Sequence, residues 1–356
     1  MDIIDRTVHQ VSLSLGDGDL VIETGKVAKQ ANGSVIVTYK GSSVFCAATM
    51  SKDPNLELGY FPLQVHYTEK FYAAGKIPGG FIKREGKPGD KEILVSRLID
   101  RPMRPLFPKG FRNDVQILPT TLSTDQVNMP DILGMIAASA STHISDIPFH
   151  GPIGAVRVGM IDGELVLNPT FEQLETSDLD LVVAGTKDAI MMIEGHCKEL
   201  TEEQMLQALI FAHDNIKKIC QIQEELRAIC GKEKAEVELY EYDAEIEKEF
   251  REYSFDKIKE ALNTFRKKER EENLKKVTEE IIEYFTEKID EDKLSQIKNL
   301  IKDTEKEIVR EQIVEQNLRV DGRKIDEIRP IDCDLSILPC THGTSLFTRG
   351  ETQSLG

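Results

Sequence analysis

Basic residues concentrate in one stretch of an otherwise acidic chain, and such a stretch could bind an anion. The 356-residue protein has a formal net charge of −17, yet residues 71–110 carry nine basic and four acidic side chains. A local reversal of charge sign is typical of a surface that binds nucleic acid, because the phosphates carry the opposite charge. A solvated loop followed by a salt-bridged helix would have the same composition, so charge alone leaves both interpretations open.

One aromatic residue in this stretch lies beside two cations. Phe81 precedes Lys83 and Arg84 in the glycine- and proline-rich segment 75–90, which we predict to be an extended loop. An aromatic face can stack on a base while neighbouring cations hold phosphates, and single-stranded nucleic acid is bound in this way without its sequence being read. The alternative is that Phe81 packs beneath its own loop.

Three arginines follow at helical spacing. Arg97, Arg101 and Arg104 would share one face if a helix ran through them, and clustered guanidinium groups suit phosphate oxygens. We predict a helix over residues 91–99 that stops at Arg101, because a proline follows and disfavours helical backbone at the residue before it. Arg104 would then follow a bend. Ion pairs with acidic residues of the same stretch are the alternative role for these arginines.

The elements around this stretch predict an α+β fold. Alternating apolar and polar residues predict strands within residues 20–50 and 155–167, the latter around an Asp162-Gly163 turn. Residues 129–140 begin with a proline and contain many small residues, which favours a helix that packs closely against a sheet. Thr201 and Gln204 form a capping box that opens another helix.

Composition divides the chain into three predicted domains. Residues 1–231 form the α+β domain. Residues 232–318 carry 18 basic and 26 acidic residues, have no proline or glycine and show helical spacing throughout, so they predict an all-helical domain. Residues 319–356 return to strand-like patterning, and residues 345–355 repeat the order strand, basic-glycine turn, strand of residues 35–45. This repetition predicts the start of a second copy of the first domain.

The sequence lacks the motifs of several classes of function. The six cysteines form no C-x-x-C pair and the seven histidines form no H-x-x-x-H pattern, so we expect reduced thiols, no metal site and no hydrolytic triad. No run of about 18 apolar residues could cross a membrane, and the first ten residues do not resemble a signal peptide. We therefore expect a cytoplasmic protein with no membrane association.

Six segments, in order, resemble the polynucleotide phosphorylase (polyribonucleotide nucleotidyltransferase) family. They are FYAAGKIPGGFIKREGKPGDKEILVSRLIDRPMRPLFPKGF, NMPDILGMIAASA, PFHGPIGAVRVG, LDLVVAGT, RVDGR and THGTSLFTRGETQ. The resemblance implies an RNase PH-like domain with a ribosomal protein S5 domain 2-like fold, then an all-α domain and the first hairpin of a second RNase PH-like domain. KH and S1 RNA-binding domains would follow.

The resemblance also implies an activity. Members of this family are ring-shaped homotrimers that degrade RNA, including mRNA, from the 3′ end. They use inorganic phosphate to release nucleoside diphosphates, with Mg²⁺ assisting. Single-stranded RNA, inorganic phosphate and nucleoside diphosphates are therefore the implied ligands, and an RNA-degradation complex is a candidate partner.

Two groups of residues match positions of the family that bind RNA. Residues 81–84 (Phe-Ile-Lys-Arg) fall on the family's pore-constriction loop, usually Phe-Phe-Arg-Arg, so Ile82 and Lys83 depart from the pattern while Phe81 and Arg84 keep it. Arg97, Arg101 and Arg104 match the basic residues that follow that loop in the family and line the first domain's face toward the central channel.

The catalytic motif of the family does not match here. It belongs to the second RNase PH-like domain and consists of two aspartates followed closely by a lysine. In the first domain, Asp180 matches the second aspartate, but Leu174 and Val182 replace the first aspartate and the lysine. We expect no catalytic residue and no Mg²⁺ ligand in this chain, with the second domain's catalytic segment beyond Gly356.

Two other functions are consistent with these residues. One is a non-catalytic RNA-binding and trimerisation module from a truncated or split gene. The other is a plain RNase PH, which the helical insert and the second RVDGR start disfavour.

Overall fold

The computed structural model describes residues 7–55, 58–81, 85–290 and 293–356. They divide into two units, Met1–Tyr240 and Glu241–Gly356. The first unit mixes antiparallel sheets with helices, and the second contains a helical bundle and a small sheet. The predicted α+β class is therefore confirmed. None of the described helices has both the length and the apolar composition needed to cross a bilayer.

The first unit begins with a seven-stranded sheet. Its strands are β1 (His9–Leu15), β2 (Gly18–Thr24), β3 (Gly33–Tyr39), β4 (Ser42–Pro54), β5 (Leu63–Val65), β6 (Thr68–Glu69) and β7 (Asn113–Ser123). The order is β1-β2-β3-β4-β7-β5, with β6 also paired to β7. The first four strands and β7 pair antiparallel, whereas β5 and β6 pair parallel with β7. The basic stretch of the sequence thus connects β6 to β7.

A second sheet has four strands in the order β11-β10-β8-β9. They are β8 (Gly154–Ile161), β9 (Glu164–Leu167), β10 (Leu179–Gly185) and β11 (Ile190–Cys197). Asp162 and Gly163 join β8 to β9 with φ angles of 50° and 81°. Both angles are positive, as a type I′ turn requires, and the predicted hairpin is confirmed.

Four helices complete the first unit: α1 (Asp90–Met103), α2 (Pro130–Ile144), α3 (Phe171–Thr176) and α4 (Glu202–Cys230). Every residue of α2 is buried, because the helix contacts β3, β4 and β7 of the first sheet, β8 of the second sheet and α4. Small residues permit this approach: a Cβ on Gly33 would lie 2.1 Å from the carbonyl oxygen of Ser141 in α2. The expectation that small residues let this helix lie close to a sheet is confirmed.

The capping box predicted at the start of α4 is also present. The Thr201 side chain accepts a hydrogen bond from the Gln204 amide at 3.3 Å, and the Gln204 side chain accepts one from the Thr201 amide at 2.9 Å. These two bonds satisfy amides that the first turn of a helix leaves without partners.

The second unit contains α5 (Ala244–Leu262), α6 (Lys267–Thr286) and α7 (Leu294–Gln316). Their apolar stripes meet in one core that includes Phe250, Ile281 and Phe285. The prediction of helical structure throughout residues 232–318 is wrong for residues 232–243, which form no helix. Tertiary contacts override local propensity there, because the backbone amides of Lys232, Ala235 and Tyr240 donate to the carbonyl of the last residue of α2 and to the carbonyls of Asp146 and Gly110.

Three strands follow the helices: β12 (Ile331–Leu335), β13 (Ser345–Arg349) and β14 (Thr352–Leu355). Residues 350 and 351 form a two-residue loop between β13 and β14, and residues 40 and 41 form the same loop between β3 and β4. Lys40 and Gly350, the first loop residues, have φ angles of 50° and 63°. The two hairpins therefore share a loop geometry, but the basic-glycine pairs of the sequence repeat are offset by one residue, because Arg349 ends β13 and lies outside the loop.

One buried histidine lies near the end of α2 among positive charges. His143 is 3% exposed, and neither of its ring nitrogens has a hydrogen-bond partner in the described part of the chain. Burial, reinforced by Arg227 and Lys234, lowers the pKa of His143 to about 3. The imidazole is therefore neutral in the native protein at any pH near neutrality.

This environment predicts that acid destabilises the fold through His143. The unfolded chain binds a proton at this side chain below about pH 6.5, whereas the native state does not until about pH 3, so stability is complete above pH 6.5 and falls with pH between these values. Between pH 7 and pH 5 the contribution is about 2 kcal/mol. Urea unfolding at both pH values should show a smaller pH dependence for His143→Leu than for the wild type. His342→Leu, at an exposed histidine, should keep the wild-type dependence, and an unchanged dependence in His143→Leu would contradict the assignment.

Candidate nucleic-acid interface

The basic loop is anchored at its base by Glu85. One carboxylate oxygen of Glu85 accepts a hydrogen bond from the Phe71 amide at 2.7 Å, and the other pairs with Lys70 Nζ at 2.9 Å. The hydrogen bond from Lys70, followed by that from the Phe71 amide, lowers the pKa of Glu85. This contact closes the loop by joining its far side to the short 3₁₀ helix Phe71–Ala74.

A second carboxylate fixes the place where the loop enters α1. Glu92 accepts hydrogen bonds from the Glu69 amide at 2.8 Å and from the Gly89 amide at 2.7 Å. The first bond attaches α1 to β6, and the second satisfies an amide at the start of the helix. The segment between Gly75 and Gly89 is therefore held at both ends.

Phe81 lies at the outer part of this loop and is fully exposed. Gly75, Gly79 and Gly80 have open space where a Cβ would be, and Gly75 and Gly80 have φ angles of 68° and 65°, which favour glycine. The alternative that Phe81 packs beneath its own loop does not hold in this structure. Its neighbours Lys83 and Arg84, also predicted to bind RNA, lie outside the described residues.

The helix that carries the three predicted arginines is longer than the sequence suggested. α1 includes Arg101 and Pro102 and ends at Met103, and Arg104 keeps helical backbone angles of −51° and −44° before the 3₁₀ turn Arg104–Leu106. The predicted stop at Arg101 and the bend before Arg104 are wrong. Pro102 and Met103 are buried. The stability gained by this burial offsets the loss of the backbone hydrogen bond that a proline cannot donate.

Arg104 makes contacts only with its own domain. Its guanidinium pairs with Asp100 at 2.6 and 2.9 Å and donates to the carbonyl oxygens of Phe61 at 3.0 Å and Leu63 at 3.2 Å. It also lies 5.6 Å from the centre of the Phe61 ring. The contacts with Phe61 and Leu63 hold the end of α1 against the start of β5, whereas the pair with Asp100 lies within the end of the helix.

The other two arginines differ in their partners. Arg101 forms an ion pair with Glu194 of β11, which connects α1 to the second sheet. Arg97 is exposed and has no hydrogen bond or ion pair to any residue that the structure describes. It lines a surface cleft of about 530 Å³ together with His66 and Tyr67. Of the three, Arg97 has the guanidinium most available to a ligand.

The lysines of the basic stretch also differ in whether they form an ion pair. Lys70 and Lys91 are paired with Glu85 and Glu69, at 2.9 and 2.8 Å. Two others, Lys76 and Lys87, have no ion pair with described residues, and both line a cleft of about 530 Å³ at the base of the loop. The sequence-based candidates did not include these two lysines. Their position beside loop glycines was the only signal that could have identified them.

The positions compared with the family's catalytic motif lie in two elements, Leu174 in α3 and Asp180 and Val182 in β10, and Asp180 is paired with a buried arginine. Asp180 of β10 forms an ion pair with Arg157 of β8, and Arg157 also pairs with Asp131 of α2 at 2.6 Å. Burial lowers the pKa of Arg157, but the two carboxylates outweigh this effect and raise it. Arg157 therefore remains charged beside Asp180.

These residues do not fit a Mg²⁺ ion. The carboxylate of Asp180 is already paired with a guanidinium, and Leu174 and the buried Val182 offer no oxygen ligand. The described residues contain no group of three acidic, histidine or cysteine side chains arranged to hold a metal.

Family comparisons agree with this architecture. Residues 18–148 match the model of the 3′ exoribonuclease family, domain 1, and residues 151–215 match domain 2 of the same family. Residues 245–324 match the RNA binding domain of polyribonucleotide nucleotidyltransferase. The first unit thus has the two-part fold of 3′ exoribonucleases, and the helices of the second unit are those of one particular family.

Curated relatives cover nearly the whole chain. Polyribonucleotide nucleotidyltransferase of Treponema denticola is 50% identical over 348 residues, which are 98% of this chain and 50% of the relative. The corresponding protein of Heliobacterium modesticaldum is 52% identical over 344 residues, or 97% of this chain and 48% of the relative. This chain belongs to the polyribonucleotide nucleotidyltransferase family, an enzyme family, and it spans about half the length of the curated relatives it matches.

A likeness to a solved structure is much weaker. The crystal structure of rice (Oryza sativa) Rrp46 aligns with 60% of this chain and 96% of that chain, at 13% identity and a TM-score of 0.48.

The buried ion pairs predict a large effect of removing Arg157. Arg157→Met leaves the carboxylate of Asp131 buried without a cation, so the free energy of unfolding should fall by about 3 kcal/mol in urea titrations. Combining this change with Asp131→Asn should recover part of the loss, because the uncompensated charge is removed. Arg310→Met, at an exposed arginine of α7, is the control and should have little effect. Equal losses in the single and double variants would contradict this account.

Proposed function

We propose that the first unit of this chain grips single-stranded RNA for a phosphorolytic 3′→5′ exoribonuclease. In that reaction an inorganic phosphate oxygen attacks the phosphorus of the last phosphodiester bond. The products are a nucleoside diphosphate and an RNA shortened by one nucleotide, which retains a 3′-hydroxyl. The family supports this class of reaction, and mRNA is the substrate that we propose for the whole protein.

The observation that carries the proposal is the exposed Phe81 on an anchored, glycine-flanked loop with unpaired cations at its base. Burial would stabilise an apolar ring of this size, so its exposure indicates a partner. A nucleobase fits, because base stacking requires only an accessible aromatic face and nearby positive charge. Lys76 and Lys87 provide that charge among the described residues.

We assign different roles to the predicted RNA-binding residues. Phe81 stacks on a base, while Lys83 and Arg84 contact the adjacent phosphates, as their sequence positions predict. Arg97 contacts the strand farther along, since its guanidinium is exposed and unpaired in the described structure. Arg101 and Arg104 keep α1 in place through their ion pairs and present Arg97 to the strand.

Phe81→Ala tests the loop directly. Stacking on one aromatic contributes about 1–3 kcal/mol per base, so the Kd for single-stranded oligoadenylate should rise by roughly 5- to 150-fold. Ile77→Ala is the matched control, because Ile77 lies in the same loop and is 91% exposed but has no aromatic face. Arg84→Ala should additionally lower the dependence of log K on salt concentration. Unchanged RNA affinity in Phe81→Ala would show that the loop is only structural.

A second candidate function is a non-catalytic RNA-binding and trimerisation module. It is favoured by the pairing of Asp180 with Arg157, which leaves the only acidic match to the catalytic motif without a free carboxylate. The two candidates share the same RNA contacts and differ in turnover. We propose that the 356 residues by themselves bind RNA without degrading it.

Incubation with poly(A), phosphate and Mg²⁺ distinguishes the two candidates. We expect no release of ADP by this chain, because Leu174 and Val182 cannot orient phosphate or bind a metal. ADP release at a rate comparable to an active relative of full length would contradict the non-catalytic assignment. For the whole protein we propose Mg²⁺ dependence, a homotrimer and a cytoplasmic location, together with participation in an RNA-degradation complex.

A further inference from the structure

The cleft at the base of the Phe81 loop contains side chains to which the proposed function assigns no role. Its volume of about 530 Å³ lies within the range of small-molecule sites. It is lined by the 3₁₀ helix Phe71–Ala74, by the segment from Glu85 to Glu92, by Thr124 and Gln126 after β7, and by Phe171 of α3. All of these residues belong to the first unit.

Two phenylalanine side chains keep much of their surface exposed at this cleft. Phe71 is 47% exposed and Phe171 is 38% exposed, and both line the cleft. The backbone of each residue is held in place. The Phe71 amide donates to the Glu85 carboxylate at 2.7 Å, and the Phe171 amide donates to the carbonyl oxygen of Val127 at 3.0 Å. The two rings therefore offer apolar aromatic surface at fixed positions to a planar ligand.

The cleft also carries an excess of positive charge. Four lysines and three glutamates line it, a net charge of +1. Lys70 and Lys91 each pair with a carboxylate, and the two carboxylate oxygens of Glu92 accept backbone amides. Lys76 and Lys87 have no ion pair with a described carboxylate. Their ammonium groups are therefore available to an anion.

Gln126 brings a side-chain amide to the same cleft. Its φ angle is 59°, a conformation that is uncommon for a residue other than glycine and costs free energy. The hydroxyl oxygen of Thr124 stabilises this conformation by accepting a hydrogen bond from the Gln126 backbone amide at 3.1 Å. Gln126 is exposed, and its side chain has no hydrogen bond to a residue that the structure describes. A group that both donates and accepts suits the edge of a nucleobase.

We propose that this cleft is a nucleotide-binding site, in which Phe71 and Phe171 contact the base, Gln126 contacts its edge, and Lys76 and Lys87 hold the phosphate. The choice of a nucleotide as ligand rests on the function proposed above. A planar apolar group joined to an anion is the ligand that aromatic rings beside unpaired ammonium groups bind. A free nucleoside diphosphate and a nucleotide of the RNA strand share this chemistry, and the test distinguishes them.

Phe171→Ala tests the site without changing the loop, because Phe171 lies in α3. Isothermal titration of the full 356-residue chain with ADP should show a Kd that is higher by roughly 5- to 150-fold, the effect of losing one aromatic stacking contact. Lys87→Ala, at an exposed residue, should also raise this Kd and make it less dependent on salt concentration. Circular dichroism verifies that both variants are folded.

The matched controls change the same residue types outside the cleft. Tyr60→Ala removes an exposed aromatic ring of the first unit, and Lys52→Ala removes an exposed lysine. Both controls should bind ADP with the wild-type affinity. An equal loss of affinity in the controls and in the cleft variants would overturn the proposal.

Titration with oligoadenylate identifies the source of the nucleotide. If the cleft holds a nucleotide of the strand, Phe171→Ala weakens the binding of oligoadenylate, and ADP competes with the oligonucleotide in the wild type. If the ligand is a free nucleotide, Phe171→Ala weakens the binding of ADP alone. Unchanged affinity for both ligands in Phe171→Ala would overturn the proposal.

A comparison with Phe81→Ala separates the cleft from the loop. Weaker RNA binding in Phe81→Ala, with normal binding of both ligands in Phe171→Ala, would refute the nucleotide site alone. Normal RNA binding in Phe81→Ala, with weaker ADP binding in Phe171→Ala, would refute the role of the loop and support the cleft. A wild-type chain that binds neither ADP nor oligoadenylate would refute both.

Discussion

Complete burial of α2 between two sheets is the constraint on which the first unit depends. A helix can contact sheets on both faces only if its residues are small and apolar and if the strands beside it approach closely, as β3 does at Gly33. The helix also buries polar side chains, and the charge of Asp131 at its start is balanced by Arg157 of the second sheet. This one ion pair joins the central helix to β8, and through Arg157 to Asp180 of β10 as well.

The same ion pairs have a functional consequence. The carboxylate of Asp180 neutralises the buried guanidinium of Arg157, and the other two positions compared with the family's catalytic motif, Leu174 and Val182, are apolar. The carboxylate of Asp180 therefore stabilises the second sheet and is not available as an oxygen ligand for a metal ion. What the unit retains at its surface is a loop held at both ends by Glu85 and Glu92. Rigid anchors with a glycine-rich tip suit a loop that must stay in position and still adapt to a strand.

In this acidic protein, a basic side chain is available to an anionic ligand only if no carboxylate already pairs with it. Carboxylates pair with Lys70, Lys91, Arg101 and Arg104, and these contacts hold the elements together. Near the loop, Lys76, Lys87 and Arg97 have no ion pair with a described carboxylate, and they line two clefts there. Net repulsion of polyanions by the rest of the surface would confine RNA to these places.

The sequence by itself determined the local features. Periodicity and turn chemistry predicted the hairpin at Asp162, the capping box at Thr201 and the helices of the second unit, because these signals depend on neighbouring residues. The sequence also contained the segments that resemble the family, and it placed the apolar Leu174 and Val182 where that resemblance implies an aspartate and a lysine. Only the tertiary structure decided which cations are free, since Arg101 pairs with Glu194, which lies 93 residues away. Core packing likewise allowed α1 to continue through Pro102, and long-range hydrogen bonds prevented residues 232–243 from forming a helix.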